Sequence, residues 1–319
     1  MAKGRKDARD YERPEVSRMS GYHGGDFRTL NFYNSDRKIK LNRNYTVSAE
    51  NPEGIKKLFK VGSNVKAFGL EVETVGEPIT FGTTFYTNIL DLIFNKAGFD
   101  DDFFKIESDA TVNGECITQT FSRAWLRNNY KCFKAMYELF DIFKITTNSP
   151  SCGMHVNLDL SNLGLDFDTQ VENARKLGYV INKHYNLMKV AFYRPGSTQW
   201  CGRMNTTKEY WQNTPLESFS SSHGNCYNMS HIRQNRIEIR LVGGQKNYPC
   251  FRNTMETVFC LIDRVCKLSW KDLDDVSKLF KGCNVHVFSR LSENCVESGV
   301  ISREDIEKIR PTIKDERWL

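Results

Sequence analysis

Residues 67 to 74 read Ala67-Phe68-Gly69-Leu70-Glu71-Val72-Glu73-Thr74. As a β-strand, alternate side chains share a face, so Leu70 and Val72 point one way and Glu71 and Glu73 the other. Two neighbouring carboxylates repel unless cations or protons neutralise them. A strand with an apolar back and a doubly acidic front therefore needs a covered core on one side and counter-charge on the other. Taken alone, Glu-x-Glu also describes the solvated face of a half-buried strand. Two later segments repeat the design.

Cys152 to Leu160 places Met154, Val156, Leu158 and Leu160 on one face and Gly153, His155, Asn157 and Asp159 on the other. Cys152 and His155, three apart, fall on opposite faces of a strand, which argues against a shared zinc ion. Arg236 to Leu241 sends Ile237, Ile239 and Leu241 inward and lets Arg236, Glu238 and Arg240 project together; a surface ion-pair ladder has the same pattern. A hairpin is expected from a strand at Phe103–Asp109, the turn Val112-Asn113-Gly114 and a strand at Glu115–Phe121, drawing Glu107, Asp109 and Glu115 together.

Between these strands the periodicity is helical. Apolar stripes predict helices over Thr83–Ala97, Ser122–Ile145, Asp168–Phe192 and Pro249–Leu268. Residues 194 to 234 are polar and turn-rich, too long for an ordinary connection and so a candidate functional segment. The mixture predicts an α+β fold: a curved, largely antiparallel sheet backed by long helices. Residues 1–60 read as a basic, irregular N-terminal region, 61–270 as the main domain holding these strands and helices and 271–319 as a C-terminal helical extension.

At 319 residues, 39% hydrophobic, the chain can bury a full core. No apolar run approaches a membrane span, and the first residues lack the apolar region of a signal peptide. Ten cysteines without a Cys-x-x-Cys pair then predict reduced thiols and a cytoplasmic protein with no membrane partner. The net charge of +6 lies wholly in residues 1–60, where 14 Lys/Arg face 8 Asp/Glu. Such a leader could meet nucleic acid, although its interspersed acids and the lack of a basic helix face favour a solvated segment.

The polar faces offer Glu71, Glu73, Glu115 and Glu238 with one imidazole, His155. That is a hard ligand set, suited to magnesium or manganese rather than zinc or copper. Arg236 and Arg240 beside it call for an anion, and a metal-bridged phosphate satisfies both requirements. Neither a Walker sequence nor a dinucleotide-type glycine fingerprint occurs, so any nucleotide binds by other means.

Four stretches carry a family resemblance: Phe-Gly-Leu-Glu-Val-Glu (68 to 73), Glu-Ser-Asp-Ala-Thr (107 to 111) with Gly114-Glu115, Ser-Cys-Gly-Met-His-Val-Asn (151 to 157) and Arg-Ile-Glu-Ile-Arg (236 to 240). In order and approximate spacing they resemble the amidoligases of the carboxylate–amine ligase superfamily, which has the glutamine synthetase fold. The resemblance spans about Val65 to Leu268. It implies an ATP- and Mg-dependent ligase that forms an amide through an acyl phosphate on an open half-barrel sheet, joining an amine to an amino-acid or peptide carboxylate, as in peptide modification.

It also implies that Glu71, His155 and Glu238 hold one metal and that Glu73 and Glu115, with Asp109, hold a second near the acceptor. Arg240 would grip the transferred phosphoryl group. Arg194, Arg203, Lys208 and Arg233, chosen by charge, join Arg236 as candidates for ATP phosphates or a substrate carboxylate, and Tyr227-Asn228 matches a short aromatic–Asn element. The chain departs from the family at Asp109-Ala110-Thr111, where Asp-Gly-Ser is usual, and at His155-Val156-Asn157, where His-x-His is usual. It also lacks a counterpart of the ammonia-receiving loop. Glu71→Gln and Glu238→Gln are expected to abolish turnover and, by relieving carboxylate repulsion, to preserve or raise stability.

Two other classes are compatible with parts of the chain. One is a transferase or hydrolase built on Cys152, Cys201 or Cys226 with His223 or His231. The other is a non-catalytic nucleic-acid or assembly protein using the basic leader.

Overall fold

The computed structural model describes residues 30–41, 66–76, 82–107, 112–194, 200–219 and 224–314. Ten strands among them form one open sheet: β1 Leu30–Asn34, β2 Arg37–Leu41, β3 Ala67–Gly76, β4 Phe104–Glu107, β5 Gly114–Thr118, β6 Thr120–Ser122, β7 Ile145–Thr146, β8 Met154–Asp159, β9 Tyr227–Asn228 and β10 Arg236–Ile239. The main path runs β2-β1-β6-β3-β8-β10-β9, with β4 joined through β5 and β7 laid on the end of β3. Only the β1–β6 pairing is parallel among the described strands. The α+β expectation of a largely antiparallel sheet holds at this level.

β3 organises the sheet because it is long enough to be shared. Its first residues pair with β6, its second half with β5, and its other edge with β8. β5 and β6 are one chain direction interrupted at Gln119, which the sequence merges into a single strand. The Gln119 N–H turns to the Phe103 carbonyl at 2.8 Å, and its side-chain oxygen accepts from the Asn31 N–H at 3.1 Å. That break lets β6 receive the β1–β2 hairpin, so part of the expected irregular leader belongs to the sheet.

Among the described residues ten α-helices accompany the strands: α1 Gly82–Ala97, α2 Arg123–Asn128, α3 Tyr130–Ile142, α4 Phe167–Lys183, α5 Tyr185–Ala191, α6 Lys208–Asn213, α7 Tyr248–Val265, α8 Val276–Leu279, α9 Val285–Arg290 and α10 Arg303–Ile309. Side-chain caps start several of them. Ser122 accepts from the Trp125 N–H, Asp166 from Thr169 and Asn247 from Cys250, each satisfying an orphan donor of the first turn. The apolar face of β3 (Phe68, Leu70 and Val72) is buried; the Phe259 ring of α7 packs on Phe68 at 4.8 Å. An aromatic cluster fills the other end, with Phe94 stacked on Phe104 at 3.9 Å and Phe103 on Trp125 at 4.4 Å.

Two expected long helices are each broken in two. At Asn129 the backbone leaves the helical region (φ −100°, ψ +22°), ending α2, and the Trp125 carbonyl accepts both the Asn129 N–H at 3.0 Å and its side-chain amide at 2.9 Å. Past α3 the chain turns through Lys144 at φ +55°, so Ile145 and Thr146 are strand, not helix. The second break falls at His184, whose Nε2 meets the Leu273 carbonyl at 2.9 Å. Residues after 270 do not form a separate layer: Leu273, Phe280, Val287, Leu291 and Ile309 lie in the same hydrophobic cluster as β3 and α7. Among the described residues no helix is long and apolar enough to cross a membrane.

Candidate active site

Strand register brings the polar faces together. Glu71 lies directly opposite His155 on β8, and Glu73 directly opposite Glu115 on β5. Glu238 of β10 faces Asn157, which in turn faces Gly69. In each strand the alternate residues Leu70, Val72, Cys116, Val156 and Ile239 are buried, so the apolar face fixes which way the carboxylates project. Four strands separated in sequence thus contribute to one acidic face.

His155 sits among three carboxylates. Its Nδ1 is 3.0 Å from Glu71 Oε2 and 3.3 Å from Glu238 Oε1, and its Nε2 is 3.9 Å from Glu73 Oε1. Burial works against charge on this imidazole, but the hydrogen bond to Glu71 and the negative charge of Glu238 and Glu71 outweigh it and raise its pKa. Glu71 is the reciprocal case. Burial alone would raise its carboxyl, yet the His155 hydrogen bond and charge, the Asn157 amide at 2.8 Å and nearby Arg236 hold it down at about 2. The pocket keeps Glu71 ionised by surrounding it with donors and cations.

Glu71, Glu115 and His155 offer one ligand atom each, all within 4.8 Å of one another. Two carboxylates and an imidazole at that spacing fit a hard divalent cation. The grouping cuts across the sets implied by the resemblance. The other two acids carry hydrogen bonds of their own, as Glu71 does to His155 and Asn157. Glu73 accepts from the Gly153 N–H. Glu238 accepts from Arg240 Nη1 at 2.7 Å and from the Asn228 amide at 3.1 Å.

The basic candidates divide. Arg240 touches Glu238, and its buried Nε has no hydrogen-bond partner among the described residues. Arg236, partly exposed, donates to Asn157 Oδ1 at 3.1 Å and stands 3.8 Å from Glu71. Arg194 is buried and reaches the carbonyls of Cys152 and Val242 at 3.2 and 3.3 Å. Its Nη1 passes so close to Gly153 that a Cβ there would stand 2.6 Å from it. These three border the pocket.

Two others do not. Lys208 is paired with Asp274 at 2.5 Å and with the Trp270 carbonyl, and exposed Arg233 is paired with Glu217. Arg203 is exposed next to the Gly202–Asn225 bridge. Asp109 lies outside the described residues, as does His223. Glu107 faces Glu115 across the β4–β5 pair and is bound to Lys105.

Sequence reasoning passed over the glycines that admit Arg194. A Cβ on Gly243 would collide with the Tyr193 carbonyl, and one on Gly244 with that of Thr147; the Gly-Gly pair after a strand was the available signal. The cysteine alternative finds no activated thiol. Burial pushes Cys152 and Cys226 up to about 12, helped at Cys152 by the charge of Glu73, and burial raises Cys201 as well. A nucleophile needs the thiolate.

No family model matches this chain, and no curated protein matches it.

Proposed function

We propose that this protein is an ATP- and magnesium-dependent carboxylate–amine ligase of the amidoligase kind, built on a glutamine synthetase-like half-barrel. The observation that carries the reading is the convergence of Glu71, Glu73, Glu115, His155 and Glu238 from β3, β5, β8 and β10 on one face, bordered by Arg194, Arg236 and Arg240. An ordinary ion-pair ladder has no reason to concentrate four carboxylates around one buried imidazole.

Magnesium, or manganese in its place, would be held by Glu71, Glu115 and His155 with Glu73 and Glu238 beside them, and would neutralise the phosphates of ATP. Arg240, anchored on Glu238, grips the transferring phosphoryl group with the remaining edge of its guanidinium. The substrate carboxylate attacks the γ-phosphorus and ADP leaves with the bridging oxygen. The amine then attacks the acyl carbon, and inorganic phosphate departs as the amide forms. Arg194 and Arg236 orient the anionic substrates on either side of the acidic face.

The test is phosphate release from ATP and magnesium in the presence of pooled amino acids and peptides, with Glu71→Gln as the matched control. Release that requires an acceptor and vanishes in the control is expected. No release with any pool, or equal release by the control, overturns the reading.

A further inference from the structure

A second charged site lies on the helical side of the sheet. A cavity of about 460 Å³ opens between α2, α7 and the C-terminal segment. Because Phe259 of α7 packs on Phe68 of β3, this cavity is across the sheet from the carboxylates. Arg123, Arg127, Arg264, Lys267, Lys281 and Lys314 line it, against two acids, Glu256 and Asp263, an excess of four positive charges.

The two acids are already committed. Asp263 holds Arg123 with two bonds, at 2.7 and 3.3 Å, and also Lys66. Glu256, almost fully buried, holds Arg127 through Nε and Nη2 at 3.0 and 2.9 Å and accepts from Asn284. Arg264 donates its Nε to the Lys278 carbonyl and makes no carboxylate ion pair among the described residues. Lys267, Lys281 and Lys314 are exposed at the rim and make no carboxylate contact among the described residues. Like charges gathered this way repel, and a bound polyanion relieves them.

We infer that this cavity is a binding site for a small multivalent oxyanion of the polyphosphate class. The volume falls in the range of small-molecule pockets, about 300–1,000 Å³. The fixed guanidiniums of Arg123 and Arg127 present planar cations, and the lysines are mobile point charges suited to phosphate. The one aromatic ring in the lining, Phe259, is buried beneath the Arg123 guanidinium at 4.4 Å. No open ring face is therefore available for the base stacking that single-stranded nucleic acid uses. The inference stands independently of the ligase reading.

The experiment is calorimetric titration of the full chain with inorganic pyrophosphate in EDTA, so that the acidic face carries no divalent cation and repels the probe. Saturable binding that weakens with salt is expected, and Lys281→Glu/Lys314→Glu should weaken it about tenfold or more. The melting temperature should not change, because both side chains are exposed. Lys281→Ala/Lys314→Ala should give a smaller loss in the same direction. Adenosine monophosphate, tested in parallel, should bind more weakly than pyrophosphate because it carries fewer charges. Absence of binding, or equal binding by the double charge reversal, overturns the inference. So does a single-stranded oligonucleotide that displaces pyrophosphate and shows the steeper salt dependence, which would make the cavity part of a nucleic-acid surface.

Discussion

The sign of the stability change in Glu71→Gln distinguishes two pictures of the pocket. Pattern alone predicts that removing one of several clustered carboxylates relieves repulsion and stabilises the fold. The structure predicts the opposite. A carboxyl held at about 2 against an ordinary 4.5, at about 1.4 kcal/mol per tenfold change in affinity for a proton, is worth about 3 kcal/mol to the native state when ionised. Glutamine keeps an oxygen for the Asn157 amide but loses the charge opposite His155, so the expected loss is about 1–2 kcal/mol, or roughly 2–4 °C in melting temperature. Glu71 has a lowered pKa, so its contribution is complete above 4.5 and disappears as pH falls towards 2. His155 has a raised pKa, so its contribution is complete below 6.5 and fades as pH rises through the folded value. The gap between parent and variant should thus be widest between those two values and narrow in alkali. Urea or thermal unfolding in EDTA, at about pH 5.5 and again near pH 9, measures it. A variant as stable as the parent, or more so, at the lower pH refutes the assignment of Glu71 as a stabilised anion.

Three further outcomes follow from the same geometry. A divalent cation that uses His155 must displace its proton, so manganese affinity in a titration should rise about tenfold per pH unit until the imidazole is neutral, with a proton released on binding; a flat profile removes His155 from the ligand set. Arg240→Lys keeps the charge beside Glu238 but loses the planar fork, and turnover should fall about a hundredfold with little change in unfolding; normal kinetics sink the phosphoryl role. In Gly153→Ala the new Cβ stands 2.6 Å from Arg194 Nη1 and 3.3 Å from Glu73 Oε2. Arg194 is buried and tied to two carbonyls, so the variant should lose about 1–3 kcal/mol of stability; an unchanged unfolding midpoint would show that the guanidinium has room to move.

The acidic strands were legible because alternation is local. Leu70 and Val72 buried, with Glu71 and Glu73 on the other face, needs no knowledge of the neighbouring strands. The register that puts Glu73 against Glu115 and Glu71 against His155 is long-range, and only family resemblance suggested it. The helix breaks were hidden for a related reason. The His184 break coincides with a contact to Leu273, 89 residues away, and at Asn129 the side chain adds a second bond to the Trp125 carbonyl that already holds its own N–H. The partners of Lys208 and Arg233, Asp274 and Glu217, are likewise distant in sequence and nothing local marks them.

The same distinction explains why the implied metal sets were regrouped. Motif spacing tells which residues share a pocket, while the distances between their oxygens and nitrogens show which lie close enough to share a cation. Asn228 and Arg240 draw Glu238 one way, and the Gly153 N–H draws Glu73 another. One ligand atom each of Glu71, Glu115 and His155 lies within 4.8 Å of the others. The imidazole within hydrogen-bonding reach of both Glu71 and Glu238 lets such a pocket fold without a cation, because a proton on His155 supplies counter-charge to the carboxylates around it. On the proposed reading a proton and a metal ion compete for His155, and either one supplies the charge that holds the native pocket together.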